Sequence, residues 1–410
     1  MARKRTTSHS GRQAPLSPLL RKHTPVDWFF AFKFNAQEIP GNEGGFCKKG
    51  LFDAPGIPRP TYDQNSEKFS RHYIVASSKK PTFQLGKGKD VIGASINDPL
   101  GATFGQVYLA NKPPFFVLWN DQFYDHPIPS VPSPWGHSKG MLASDSNGEG
   151  FVLQVSIPSW PGAGNKKHPR LSDGNTLGFI QDDDIEVSQH FFALKLRGND
   201  VATVLAALHN ASVRTDPTNP VLVNNGGPAH IRTLVKLLGR KEKGKAPFNE
   251  TLSSGVRLIA KPSELHVPPW QYVSAELSGV DLRVASWWAY PKIYSTTRTK
   301  PTPGCWDDAL CTPGAVDIAT TGTWSSVGTL GLTGGPGAKY NHAKFGVSTS
   351  RSKTYSIFGD MNQQGSLLKS KAKSSQNGRG GLFFVLDDKH LFKSMTGLLK
   401  GDSAPTQATV

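Results

Sequence analysis

Cysteine is scarce. Cys47, Cys305 and Cys311 are the only ones in 410 residues, so a disulfide framework is excluded. Cys305 and Cys311 bracket Trp306-Asp307-Asp308-Ala309-Leu310 and either close a small loop or stay free; the odd count suits a reducing compartment. Long apolar runs are lacking too, and none nears the ~18 residues a membrane-crossing helix needs. Acid is absent from residues 1–25, which carry Arg3, Lys4, Arg5, Arg12, Arg21 and Lys22. No apolar segment follows those charges, which argues against a secretory signal. The stretch reads as a disordered basic arm, and the setting as cytoplasmic or non-classically exported.

Positive charge, aromatic bulk and loop formers are abundant instead. Lys and Arg number 47 against 31 Asp and Glu, a net charge of +16, and a pI near 9.7 points to a polyanionic partner. Hydrophobic residues make up 37%, with 22 Phe and 9 Trp, enough for a core and too many for wholesale disorder. The 42 Gly and 31 Pro favour short strands and loops over a helical bundle. Length favours two domains, or two fused copies of one. Two basic runs, Arg240-Lys241-Glu242-Lys243-Gly244-Lys245 and Lys369-Ser370-Lys371-Ala372-Lys373, stand among Gly and Ser and read as exposed loops. They serve either solubility or phosphate contact.

Strand-like segments alternate with fewer helices. Val26–Phe34 and Phe115–Trp119 are near-continuous apolar runs and read as buried strands. Gly136–Ser144 and Phe151–Ile157 read as a hairpin around Asn147-Gly148, and His190–Leu196 as a further strand. Helices are expected over Val201–Leu208, capped by Asn199 or Asp200, and over Ala229–Leu238, stopped by Gly239. In the second half Val256–Ala260, Val280–Trp288, Ala343–Ser348, Thr354–Phe358 and Gly381–Leu386 read as strands, and Trp270–Leu277 as a helix. The fold class is therefore α/β, or α+β, with mixed sheets. The divisions are the arm (1–25), an N-terminal half (26–238), a basic linker (239–248), a C-terminal half (249–400) and a tail (401–410).

Of twelve histidines, two have Lys at the second position on: His137-Ser138-Lys139 and His342-Ala343-Lys344. Residue frequencies alone give about one such pair, so context carries the argument. The pairs lie 205 residues apart, each after a Gly- and Pro-rich loop and each opening a β-prone stretch. A turn and a second strand follow each, ending in Ser156-Ile157-Pro158 and in Gly359-Asp360-Met361-Asn362. This is an internal repeat. In a strand, i and i+2 share a face, so His and Lys of each pair point together. If the halves pack as a pseudo-dimer, two imidazoles and two ammonium groups converge. Such a pocket suits a phosphodiester held by Lys and attacked and protonated by His. His168 and His230, each followed by Arg at the second place, lack the Gly context and read as surface residues. The acidic stretch Gln181–Glu186 reads as a turn rather than a metal site. Trp270, Trp287 and Trp288 suit core or interface packing better than base stacking.

These segments resemble deoxyribonuclease II, whose fold is similar to the phospholipase D superfamily. The resemblance runs from Val26 to about Leu398. It is carried by Val26-Asp27-Trp28-Phe29, Asn120-Asp121-Gln122, Gly136-His137-Ser138-Lys139-Gly140 with Asp145, Ser156-Ile157-Pro158, Asn341-His342-Ala343-Lys344, Gly359-Asp360-Met361-Asn362 and Arg379-Gly380-Gly381. It implies a metal-independent, acid-favouring endonuclease acting on double-stranded DNA without sequence specificity. Products would carry 3′-phosphate and 5′-hydroxyl ends, formed through a phosphohistidine. His137, Lys139, His342 and Lys344 would be catalytic, with Asn362, Asp360, Asp145, Ser156 and Asn341 binding phosphate or supporting the site. The repeat leaves the two histidines interchangeable; His137 is taken as nucleophile and His342 as acid. No cofactor or metal is implied. The missing signal peptide and disulfides, against the animal members, suggest a divergent or bacterial member. Edge strands leave room for a homodimer. The competing functions are a phospholipase D-like phosphodiesterase or transferase acting on lipid, and a DNA-binding protein without catalysis.

Overall fold

The structure is a computed structural model that describes residues 15–36, 70, 72–87, 91–109, 112–123, 133–158, 160–161, 186–324, 331–335, 337, 340–350 and 352–406. In chain order the elements are β1 (Trp28–Lys33), β2 (His72–Ser77), β3 (Lys80–Lys87), α1 (Pro99–Tyr108), β4 (Phe115–Trp119), β5 (Gly140–Ser144), β6 (Gly150–Val155), β7 (Gln189–Leu196), α2 (Asp200–Asn210), β8 (Val223–Asn225) and α3 (Ala229–Val235). They continue as β9 (Phe248–Thr251), β10 (Arg257–Lys261), α4 (Pro269–Glu276), β11 (Leu282–Ala285), β12 (Val316–Ile318), β13 (Thr321–Thr323), β14 (Gly331–Thr333), β15 (Phe345–Ser348), β16 (Tyr355–Gly359), α5 (Lys369–Ala372), β17 (Gly381–Asp387) and α6 (Lys389–Leu398).

Two large sheets form, β3-β2-β1-β7-β6-β5-β4-β8, antiparallel throughout, and β12-β11-β15-β16-β17-β10-β9, which is mixed because β11 and β12 pair in parallel; the expectation of mixed sheets thus holds for the second only. Within them β4-β5-β6-β7-β1 and β11-β15-β16-β17-β10 run in matching antiparallel order. The central strands are apolar along both faces, as a strand covered on each side requires; β1, β4, β5 and β6 are buried throughout. The hairpin between β5 and β6 turns at Gly148, where φ is +79°, a conformation that favours glycine.

Aromatic rings from the two sheets meet face to face. Phe358 on β16 stacks on Phe30 of β1 at 4.9 Å and on Phe192 of β7 at 4.1 Å, while Phe345 of β15 lies edge-on to Phe30 and Phe32 at 5.5 Å each. Offset and edge contacts of this kind add to simple area burial. A single core thus spans both sheets, and a second cluster fills the space around α4 on the outer face of the C-terminal sheet. Three bonds cross between the halves at the helices: Ser253 N–H and hydroxyl donate to Asp200 at the start of α2, and Phe83 N–H donates to Ser394 on α6. Asp200 is thereby engaged outside the helix start, and Asn199 makes no side-chain cap bond to α2.

Two expectations change, and one left open is decided. Residues 15–25 are not a free arm: Leu16 and Ser17 are buried, and Ser17 and Leu19 hydrogen-bond Gln106 and Thr103 on α1. Residues 1–14 lie outside the described residues. The stretch from Gly136 does not begin a strand; β5 starts at Gly140, and β15 starts at Phe345. Both His-x-Lys pairs therefore precede their strands, held by contacts described below rather than by a ladder. Cys305 is a buried free thiol and Cys311 an exposed one; Cys47 and the acidic stretch 181–185 lie outside the described residues.

Candidate active site

Each His-x-Lys segment is fixed by the opposite sheet. The His137 N–H donates to the Gly380 carbonyl at 2.8 Å, and the His342 N–H donates to the Ser188 carbonyl at 3.0 Å. Gly380 is the residue before β17 and Ser188 the residue before β7, the matching places in the two sheets. Each segment is also tied to its own sheet: Lys139 and Lys344 carbonyls accept from Val155 N–H at 3.1 Å and Gly359 N–H at 2.9 Å. Gly136 and Gly380 close on the end of α2. A Cβ at Gly380 would sit 2.1 Å from the Ala211 carbonyl oxygen, and one at Gly136 2.5 Å from the same atom; no real side-chain carbon approaches so closely.

At the first pair, His137 Nδ1 lies 2.6 Å from the Asp360 carbonyl oxygen. A carbonyl only accepts, so Nδ1 carries the proton and Nε2 keeps its lone pair. Burial, then the Lys139 charge, hold the imidazole well below its ordinary pKa, against the pull of Asp121; Arg379 and Lys344 add to the depression. His137 is therefore neutral. Lys139 Nζ sits 2.5 Å from Asp121 Oδ1, and Arg379 Nη2 donates to Asp121 Oδ2 at 2.8 Å. Arg379 also donates to the Trp135 and Gly136 carbonyls at 2.8 and 3.2 Å, clamping the loop that carries His137. Burial raises the Asp121 pKa, but Lys139, Arg379 and His137 outweigh it and hold the carboxylate well below its usual range.

At the second pair, Asn341 Oδ1 accepts from Ser188 Oγ at 3.1 Å and from Ala343 N–H at 3.0 Å, and its Nδ2 donates to the Ala343 carbonyl at 2.9 Å. Lys344 N–H donates to His190 Nδ1 at 3.1 Å. That bond puts the His190 proton on Nε2, which is buried without a hydrogen-bond partner; burial and Lys344 keep His190 neutral. The indole of Trp287 lies 5.1 Å from the His342 imidazole.

The pairs converge. Both lysines act electrostatically on His137 and on Asp360. Burial pushes the Asp360 carboxyl up to about 7, against the Ser138 hydroxyl, the Leu382 N–H and the two lysines. Asp360 orients His137, but through its main-chain carbonyl; its carboxylate accepts from Leu382 N–H at 2.9 Å. Asn362 is buried beside it, its Oδ1 without a hydrogen-bond partner. Ser156 accepts from His190 N–H at 2.8 Å and donates to Gln189 at 2.5 Å, so it braces β7 rather than facing outward. Asp145 is not brought to the site. It lies at the far end of β5 and accepts from Asn147 and Glu149 N–H at 2.8 and 3.0 Å, closing the hairpin turn.

From sequence, Asp121 and Arg379 lie within segments that carry the resemblance but receive no role, Ser188 and His190 receive no site role, and Trp287 is assigned to core or interface packing. A carboxylate two residues past the fully apolar β4 is a signal that Asp121 must find a cation. Arg379 gives none, because its partner is distant in sequence. Trp270 and Trp288 are buried as expected; only Trp287 of the three is half-buried and touches the site.

Neutral imidazoles beside buried cations, with a carboxyl poised near neutrality, are the equipment of a hydrolase acting on an anionic ester. The family model for deoxyribonuclease II matches residues 55–401, and the chain belongs to that family. It is similar to the cell-death-related nuclease 7 of Caenorhabditis elegans, 25% identical over 316 residues that cover 73% of each chain. The protein is a deoxyribonuclease of the hydrolase class, with DNA as its substrate. Among the described residues no cluster of His, Cys, Asp and Glu could hold a metal ion, and no helix is long and apolar enough to cross a membrane.

Proposed function

We propose that the protein hydrolyses DNA phosphodiesters without a metal, through a phosphohistidine on His137, leaving 3′-phosphate and 5′-hydroxyl ends. The observation that carries this reading is the 2.6 Å contact of His137 Nδ1 with the Asp360 carbonyl. It aims an unprotonated Nε2 away from the protein framework, and burial and the lysines keep it unprotonated. His137 Nε2 attacks phosphorus, and the bond to the 5′ oxygen breaks as His342 gives that oxygen a proton. Neutral His342 then takes a proton from water, whose oxygen displaces Nε2 and releases the 3′-phosphate. Lys344 and the Lys139–Asp121–Arg379 cluster supply positive potential to the non-bridging oxygens. Asn362 is placed to contact phosphate; Asp360, Asn341 and Ser156 position the groups that do.

The same reading takes the chain as a pseudo-dimer of two diverged halves. Its support is the matched strand succession and the reciprocal bonds of His137 to Gly380 and His342 to Ser188. The test is nicking of supercoiled plasmid near pH 5 in EDTA. Wild type should nick fully, and His137→Ala and His342→Ala should each lose at least ~10³-fold. Strong inhibition by EDTA, or retained activity in either variant, overturns the mechanism. A denaturing quench at alkaline pH, where a P–N bond survives, should trap DNA joined through its 3′-phosphate to His137.

A further inference from the structure

We infer that Arg214, stacked on Trp135 and flanked by Lys241, forms a phosphate-binding subsite that grips the DNA backbone one or two nucleotides from the scissile bond. This rests on the nuclease reading and adds to it the place where flanking DNA lies.

Arg214 is half-buried, its guanidinium 4.7 Å from the centre of the Trp135 ring. Its Nε is enclosed and has no hydrogen-bond partner, and among the described residues no carboxylate pairs with it. A guanidinium with several donors normally finds acceptors when it loses water. One held over an indole with its Nε unmet is suited to an oxyanion such as a phosphate. Lys241 Nζ approaches the same ring at 5.5 Å. Trp135 is two residues from His137, and Arg379 holds its carbonyl. The stack therefore borders the pocket.

The surroundings are enriched in like charge, although Lys245 of the same run pairs with Asp307 at 3.5 Å. Glu242, the one acid of the basic run 240–245, is turned aside. It accepts from its own Lys243 and Gly244 N–H at 2.8 and 2.7 Å and faces His209 at 3.0 Å. The other basic run arrives from the C-terminal sheet. Ser133 hydroxyl donates to the Lys373 carbonyl at 2.5 Å and the Gly378 carbonyl at 2.7 Å, which sets Lys369, Lys371 and Lys373, all exposed, beside the Trp135 loop. Two runs far apart in sequence thus flank one loop next to the nucleophile. A duplex presents phosphates at regular spacing to such a strip, and each contact releases counterions.

The test is binding of a fluorescently labelled 30-base-pair duplex, read by anisotropy across salt, in full-length protein carrying His137→Ala so that no cleavage occurs. Adding Arg214→Gln should raise Kd about ten-fold and lower the slope of log K against log salt by about one. Lys241→Ala, at an exposed side chain that the fold does not need, should lower the slope similarly. Arg214→Lys, which keeps charge but loses the stack, should fall between. Lys353→Ala, in the turn between β15 and β16, should change nothing. In otherwise wild-type enzyme Arg214→Gln and Lys241→Ala should raise KM and leave kcat within about two-fold. An unchanged Kd and slope in Lys241→Ala and in Arg214→Lys, or an equal loss in Lys353→Ala, overturns the subsite. A wild-type chain that neither binds nor nicks the duplex overturns the nuclease reading itself.

Discussion

His137 and His342 share a pattern in sequence but differ in their neighbours. His137 has a main-chain acceptor on Nδ1 and an acid–base cluster of Asp121, Lys139 and Arg379 behind it; His342 has an indole against its ring. Removing Asp121 would strand two buried cations, so Asp121→Asn should destabilise by about 3–5 kcal/mol, read as a drop in melting temperature. That contribution should persist at pH 5, because the carboxylate pKa is depressed and its stabilisation is lost only as pH falls below the ordinary range. Asp360 behaves oppositely. Its folded pKa is raised from 3.8 to about 7, so the folded protein holds a proton that the unfolded chain has lost. The stability from this group is present below about pH 4 and is lost as pH rises through 7. Asp360→Asn should flatten the decline in melting temperature between pH 5 and pH 8; an unchanged decline would show that the carboxyl does not titrate there.

At the scale of elements, the site is made by strand ends and the segments just before them. The residues before β7 and β17 supply the carbonyls that receive the two histidine N–H groups, and the last residues of β6 and β16 bind the two lysine carbonyls. Such positions demand close backbone approach, which explains Gly136 and Gly380 against Ala211. Gly380→Ala forces that contact apart and shifts the His137 loop. Because a displacement near 1 Å costs about 10²-fold in rate, nicking should fall by that order while the far-ultraviolet circular dichroism stays native. Equal loss of structure and activity would contradict it. Ser156, expected to bind phosphate or to support the site, braces β7, because its hydroxyl meets the His190 N–H.

Over the whole molecule, the two sheets share one aromatic core rather than owning one each. Phe358 touches Phe30 and Phe192 across the joint. Phe358→Ala should cost about 3–5 kcal/mol, measured by denaturant unfolding. Residues 1–238 and 239–410 made as separate chains should each lack a cooperative thermal transition and any nicking activity, since each would expose half of that core. A folded, stable half would refute the shared-core account.

The sequence by itself determined the α/β class, most of the central strands and the two His-x-Lys pairs. Buried apolar runs, an Asn-Gly turn and a repeated motif are local signals that a chain carries wherever it folds. The β2–β3 hairpin, α1 and α6 were not legible, because their periodicity is weak without the surfaces they cover. Tertiary structure alone decided that His137 is oriented by a carbonyl from the other half, that Asp121 and Arg379 lock Lys139, and that Asp145 stays at a remote turn. It also decided that two distant basic runs meet beside Trp135. The bonds of His137 to Asp360, of Arg379 to Asp121 and of Ser133 to Lys373 join residues more than 200 positions apart, fixed by how two sheets pack, and no spacing along the chain encodes them.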